Sequence, residues 1–230
     1  MIRKRLISEH PVVVSVQVAA MLAFIGGMVD ADSFWFHGGV FASLQSGNLV
    51  LMGINIARGQ WAAVLERLIP LVTFFIFVGV TRIIQQTVSQ RFFRRWLVAT
   101  LGTESLLLVM VTLLPTFLPR LLLTSCLSAL AGIQLQSFRQ INGLTFNSTM
   151  MTGNIRACAA ALFGGLWLHD AQLVVQGLKL LSIFLSFCLG AATLVFLGDT
   201  FGQWTLMLGV VVLLIIGATL WQSALAYEKG

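Results

Sequence analysis

A polar tripeptide occurs twice in otherwise apolar sequence, as Ser46-Gly47-Asn48 and as Thr152-Gly153-Asn154. A hydroxyl followed by Gly and Asn is typical of a helix start, because the hydroxyl can accept from a first-turn N–H group and Gly permits a sharp turn. The first N–H groups of a helix have no partner in their own helix and carry partial positive charge. These residues are therefore predicted to bind a small polar or anionic solute.

The two tripeptides lie 106 residues apart, and the same offset relates their surroundings without a gap. It aligns Ala23 with Ala129, Gly26 with Gly132, Gly59 with Gly165 and Trp61 with Trp167. A match of this kind over about forty residues predicts two structural repeats. Polar breaks at corresponding places in two halves of an apolar chain indicate the binding site of a transporter.

Carboxylates inside apolar runs are a second set of candidates. Asp30 directly follows the first run and Glu104 lies within the fourth, and both are predicted to handle a proton or an ion, because a membrane-embedded acid is costly and usually functional. Asp32 is the weaker candidate of the pair 30 and 32. The alternative for each acid is a solvated position at the membrane interface.

The second half carries amides and a base where the first carries acids. The 106-residue offset aligns Gln136 with Asp30 and Arg139 with Ser33 in the sequence. Gln136 and Arg139 are therefore predicted to contribute to the solute site, with a loop anchor obeying the positive-inside rule as the alternative for Arg139.

Other chemistry is not indicated. His37 and His169 have no partner at the spacing of a metal site or a catalytic triad, and the three cysteines lie far apart. The chain has no nucleophile elbow, zinc-protease motif or phosphate-binding loop. The sequence therefore predicts no enzyme, no metal and no cofactor.

Composition indicates an integral membrane protein. The 230 residues are 58% hydrophobic and 10% charged, with a mean hydropathy of +0.93, whereas soluble domains carry about 25% charged residues. The net charge of +6 is interpreted as cytoplasmic loop charge, because the arginines cluster at the ends of apolar runs. They are not interleaved with aromatics, so no nucleic-acid partner is predicted.

Eight apolar runs follow one another along the chain, at about 11–29, 41–57, 68–88, 96–118, 121–138, 148–168, 172–197 and 203–226. A helix needs about 20 residues to cross the hydrocarbon core. The runs 41–57 and 148–168 contain the tripeptides, and only about 10–14 residues in each look helical, which covers half a bilayer. The predicted fold is therefore all-α, with six transmembrane helices and two re-entrant half-helices.

Basic residues predict the orientation. The clusters 3–5 and 82–95 should both face the cytoplasm, which requires an even number of crossings between them and so makes 41–57 re-entrant. Both termini are then cytoplasmic. Because the first half crosses the membrane three times, the second half starts on the opposite side and has the inverted topology. The prediction is one domain, 1–230, of two inverted repeats (about 11–118 and 119–226), in which Asn48 and Asn154 approach each other near the membrane centre.

The two motifs also resemble a known family. Residues 26–34 with 46–48, and residues 131–139 with 149–154, are similar to the two motifs of the YoaK-like family of uncharacterised bacterial membrane proteins. Ser46 stands where that family has threonine, and Leu135 where it has asparagine. The resemblance implies a multi-pass protein of the bacterial inner membrane and brings no assigned substrate.

The function predicted from these observations is a small secondary transporter or channel-like permease for a polar or anionic solute. The alternative is a membrane scaffold or regulator that transports nothing and binds partners through the basic loop 82–95. The lipid bilayer is a predicted partner in both cases, and a homo-oligomer is possible.

Overall fold

The computed structural model describes residues 14–89, 92–141 and 144–229. In these ranges the chain forms α1 (Val16–Phe36), α2 (Gln45–Ala57), α3 (Trp61–Thr87), α4 (Phe93–Leu113), α5 (Arg120–Ser137), α6 (Met151–Leu168), α7 (Ala171–Phe201) and α8 (Leu206–Lys229). A 3-10 turn, Gly202–Thr205, joins α7 to α8. The strands β1 (Gln140–Ile141) and β2 (Leu144–Thr145) pair antiparallel between α5 and α6. The all-α expectation therefore holds apart from this small hairpin.

Several helices are suited to a bilayer. Four stretches of the described chain are long and apolar enough to cross a membrane: Val16–Phe36, Trp61–Thr87, Phe93–Leu113 and Ala171–Gln222, the last containing α7 and most of α8. Large apolar side chains on their outer faces are exposed, such as Phe75 at 76% and Phe196 at 80%. Such faces are stable against lipid and costly in water, so the chain is that of a multi-pass membrane protein.

The two helices that contain the tripeptides, α2 and α6, differ in length. Helix α2 has 13 residues, about 20 Å, which agrees with the expected 10–14. Helix α6 has 18 residues, about 27 Å, so the expected length was wrong for this helix. Its C-terminal part packs closely on α7, where a Cβ at Gly165 would lie 2.8 Å from the backbone nitrogen of Val174.

The gapless alignment of the two halves consequently ends before residue 59. Gly59 has a φ of 67° and lies in the turn between α2 and α3, whereas Gly165 lies inside α6. In the same way Trp61 begins α3, and Trp167 is near the end of α6. These two pairs share an offset in sequence without sharing a place in the fold.

The pairs in which the helices pack are symmetric between the two halves of the chain. Helix α1 packs against α7, α5 packs against α3, α2 packs against α3, α6 packs against α7, and α4 packs against α8. Exchanging the first four helices with the last four leaves this set of pairs unchanged.

Directions within the bundle follow from the same contacts. Phe24 lies against Gly190 and Phe36 against Gly198, so α1 and α7 run the same way. Gln134 of α5 donates to the carbonyl oxygen of Leu22 at 3.0 Å, while the beginning of α5 lies near His37, at the end of α1. Helices α1 and α5 therefore run in opposite directions.

Glycines bring α1 and α7 into backbone contact. A Cβ at Gly27 would overlap the carbonyl oxygen of Phe187, and one at Gly190 would overlap that of Phe24. Small residues at a crossing allow this approach, and the dispersion contacts that result are a main source of helix association in lipid. The crossing lies beside Asp30, so it positions the candidate site described below.

We expect Gly27→Ala and Gly190→Ala to lower the free energy of unfolding by about 2–3 kcal/mol, because the added methyl forces the backbones apart. Thermal unfolding in detergent measures this. Gly79→Ala is the matched control, since a Cβ at this exposed position in α3 meets nothing within 4 Å, and it should be neutral or stabilising by about 0.5–1 kcal/mol. Equal melting temperatures for all three variants would contradict the tight crossing.

Candidate functional site

The asparagine of each tripeptide closes the loop that precedes its helix. Asn48 Oδ1 accepts from the backbone N–H of Phe41 at 2.9 Å, and its Nδ2 donates to the Phe41 carbonyl at 2.7 Å. Asn154 holds Asn147 in the same way, at 3.0 and 2.7 Å. In both cases the side chain reaches back seven residues. We call these two arrangements the asparagine clamps.

The glycine of each tripeptide makes room for its clamp. A Cβ at Gly47 would lie 3.0 Å from the ring of Phe41, and one at Gly153 would lie 3.0 Å from Nδ2 of Asn147. Gly-Asn is therefore a structural unit in which Asn binds a backbone seven residues earlier and Gly accommodates the side chain of that residue.

The hydroxyls do not cap the helices, contrary to the sequence-based expectation. The N-cap positions are Leu44 and Met150, and neither has a side-chain cap bond. Ser46 and Thr152 are the second residues of their helices, because each helix begins one residue before its tripeptide's hydroxyl. Both side chains are exposed.

The clamped asparagines are also poorly placed to bind a solute. Both are buried, at 0% and 1% exposure. Beyond its bonds to Phe41, the amide of Asn48 also donates to Gln45 Oε1 at 2.9 Å, and that of Asn154 lies 3.4 Å from the Met151 sulfur. Their hydrogen-bonding capacity is largely used inside the protein, so their contribution to a solute site is the shape of the loops.

The two loops meet at Ser43, which Asp30 holds in place. One oxygen of the Asp30 carboxylate accepts from the backbone N–H of Ser43 at 2.7 Å, and the other accepts from its hydroxyl at 2.5 Å. Ser43 Oγ also lies 3.3 Å from the carbonyl oxygen of Thr149, its counterpart 106 residues later. This contact between the loops falls five residues before each clamped asparagine.

A cavity of about 330 Å³ opens beside this contact. It lies between α1, the loop 37–44, the start of α6, and α7, and Asp30 and Thr152 are among the predicted site residues that line it. Phe34, Phe41 and Phe187 form much of its apolar wall. Among the described residues lining the cavity, Asp30 is the one ionisable side chain.

The other predicted residues lie elsewhere. Glu104 is buried in α4, and neither of its carboxylate oxygens has a hydrogen-bond partner in the described part of the chain. Gln136 donates to Gln85 Oε1 on α3 at 2.9 Å, and Arg139 is exposed beyond the end of α5. These three residues do not line the cavity at Asp30, so the candidate site contains fewer of the predicted residues than the sequence analysis expected.

A buried acid–imidazole pair escaped the sequence analysis. Asp32 is fully buried rather than solvated, and its Oδ2 lies 3.1 Å from Nε2 of His37. The Nε2 atom of Gln203 lies 3.3 Å from the same ring nitrogen. The available signal was an acid five residues before a histidine that directly follows the helix. No group of three or more metal-ligating side chains occurs among the residues that the structure describes.

These features define a multi-pass α-helical membrane protein with a cavity at the junction of its two groups of helices. A family model described as "Protein of unknown function (DUF1275)" matches residues 18–219. The chain belongs to this family, as the motif resemblance implied.

A relative that is named as a transmembrane protein supports this assignment. The chain is 24% identical over 178 residues to the UPF0700 transmembrane protein YoaK of Bacillus subtilis (strain 168), a match that covers 75% of this chain and 79% of the relative. No solved structure matches the chain.

We expect Asn48→Ala and Asn154→Ala each to lower the free energy of unfolding by about 2 kcal/mol, because each leaves a partly buried backbone N–H and carbonyl without their partner. Thermal unfolding in detergent is the measurement. Ser46→Ala, in the same turn as Asn48, should change stability by less than about 0.5 kcal/mol, since its side chain is exposed. Asparagine variants as stable as Ser46→Ala would rule out the clamps as structural elements.

Proposed function

We propose that the protein is a small secondary transporter or channel-like permease whose solute binds in the cavity at Asp30. The observation that carries this proposal is the composition of the cavity wall, to which both groups of helices contribute: α1 and the loop 37–44 from the first, α6 and α7 from the second. A site between two halves that can move against each other is what alternating access requires. No chemical transformation of the solute is part of the proposal.

The arrangement of the helices supports a design of two inverted repeats. The same pairs form when the halves are exchanged, the first helices of the halves, α1 and α5, run in opposite directions, and each half contains an asparagine clamp before its second helix. We infer six crossings, by α1, α3, α4, α5, α7 and α8, with α2 and α6 re-entrant.

The arginines then set the orientation. Three arginines fall at the end of the bundle where α1 ends (Arg58, Arg67 and Arg120), and four fall at the opposite end (Arg82, Arg94, Arg95 and Arg139). The positive-inside rule favours the larger basic group on the cytoplasmic side. We therefore propose a bacterial inner-membrane protein with both termini in the cytoplasm.

The cavity favours a particular kind of solute. Its wall is mainly apolar and aromatic, and its one ionisable lining residue is the acid Asp30. An ionised Asp30 would repel an anion, whereas a protonated Asp30 could accept or donate a hydrogen bond. Aromatic faces next to a carboxylate attract organic cations and amines. We therefore favour a small solute with an apolar body and a neutral or cationic polar group, in preference to the anionic solute also considered from the sequence.

A scaffold or regulator that transports nothing is the second candidate. The observation in its favour is that the asparagines of both tripeptides are buried and bonded to their own loops, as packing devices would be.

Transport is tested by uptake into proteoliposomes from a panel of small amines, amino alcohols and neutral polar solutes. For any solute taken up, we expect Asp30→Asn and the cavity-filling Ile155→Trp each to reduce uptake at least tenfold. Asn at position 30 preserves the shape of the acid and can still accept from the Ser43 N–H, so the loop should stay in place.

Asp199→Asn is the matched control, because Asp199 is exposed near the end of α7 and does not line the cavity. Its uptake should equal that of the unmodified protein. Uptake that survives both Asp30→Asn and Ile155→Trp, in folded protein, would remove the cavity from the proposal. Absence of uptake and of binding for the whole panel would favour the scaffold.

A further inference from the structure

Burial of the Asp32–His37 pair favours states in which the pair binds a proton and carries no net charge. Apart from the contact with Nε2 of His37, neither carboxylate oxygen of Asp32 has a hydrogen-bond partner in the described part of the chain, and the side chain is fully buried. A buried carboxylate without donors or a countercharge is very costly. Two states leave the buried pair without net charge: a protonated Asp32 beside a neutral imidazole, and an ionised Asp32 facing a protonated His37, whose Nε2 lies 3.1 Å away. An ionised Asp32 that accepts from a neutral imidazole would leave a net buried negative charge, which is the costly state. In both of the states without net charge, the pair holds a proton.

Gln203 is compatible with a proton on either member of the pair. When the proton lies on Asp32, the single lone pair of Nε2 of His37 can accept from the Asp32 hydroxyl or from the Gln203 amide nitrogen 3.3 Å away. When Nε2 is protonated, its one hydrogen faces the Asp32 carboxylate, and the Gln203 amide can turn so that its N–H group no longer points at that hydrogen. The side-chain oxygen of Gln203 has no hydrogen-bond partner in the described residues, and amide orientation is a matter of the hydrogen bonds available.

The imidazole has a route to the surface. A cavity of about 60 Å³ leads to His37 and is lined by Glu66 of α3 and by Arg120 and Thr124 of α5. Both charged side chains are exposed, and the cavity can hold at least one water molecule. The pair is thus buried from most directions and open towards the end of the bundle where α1 ends.

We propose that Asp32 and His37 form a proton-binding site that exchanges with the membrane surface through this cavity. On the orientation inferred above, that surface is extracytoplasmic. The site is separate from the solute cavity, because residues 30 and 32 lie about 200° apart around the axis of α1. The proposal stands whether or not the cavity at Asp30 binds a solute.

Charged and polar groups from several elements face the imidazole. They are Asp32 on α1, Glu66 on α3, Arg120 on α5 and the neutral Gln203 after α7. Glu104 on α4 makes no hydrogen bond to either member of the pair. Asp32 is the nearest charge, so removing it should have the largest effect.

The test follows the protonation of His37 directly, by side-chain nitrogen NMR of the full chain labelled at histidine. The chain has three histidines, so His37→Gln and His169→Asn assign the signals. We expect Asp32→Asn to reduce the proton affinity of His37 at least about tenfold. Asp199→Asn, which removes an exposed acid, should leave it unchanged. Identical His37 titrations in the unmodified protein and in folded Asp32→Asn would overturn the proposal.

A second measurement covers the case in which Asp32→Asn does not fold. Infrared difference spectra between about pH 5 and pH 8, the range in which histidine changes charge, should contain a carboxyl band that Asp199→Asn retains. The proposal expects His37→Gln to shift or abolish this band, because the carboxyl loses the group with which it shares the proton. A band that His37→Gln leaves unaltered would show that the acid and the imidazole titrate independently, contrary to the proposal.

Discussion

The need to satisfy backbone polar groups where helices stop inside a packed bundle governs this structure. The loops before α2 and α6 have no helical hydrogen bonds of their own, and they lie between helices, where water cannot freely supply partners. The asparagine clamps at Phe41 and Asn147 answer that need within each loop. Asp30 answers it at Ser43, whose hydroxyl contacts the other loop at Thr149. With the loops held, α2 and α6 can begin where they do.

The cavity follows from the same constraint. A loop held by internal hydrogen bonds keeps its shape and cannot collapse fully onto α7, while Gly27 and Gly190 bring α1 and α7 into contact at one point. Space remains beside that crossing, with Asp30 at its edge. Asp30 therefore combines two properties, since it orders the loop through Ser43 and is the ionisable group among the described residues that line the cavity. A change in its charge would act on both, which links loop structure to the contents of the cavity.

The two acids of α1, Asp30 and Asp32, have different surroundings. Asp30 receives two hydrogen bonds from Ser43, whereas the polar contact of Asp32 in the described part of the chain is with His37. Since α1 turns by about 100° per residue, the two carboxylates point to different neighbours. The acids also differ in access, because Asp30 faces a mainly apolar cavity and Asp32 is reached past Glu66 and Arg120. A single helix thus carries two polar sites that can be studied separately.

The sequence by itself determined the membrane class, most of the apolar helices, the short helix α2 and the importance of the paired tripeptides, because composition and local pattern decide where a chain meets lipid and where a helix breaks. It also singled out Asp30. Only the tertiary structure decided that Asn48 and Asn154 bind their own loops, that α6 extends to Leu168, and that Glu104, Gln136 and Arg139 lie away from the cavity. Asp32 and His37 became a pair for the same reason: hydrogen-bond partners and burial depend on which helices pack together, and spacing along the chain carries little of that information.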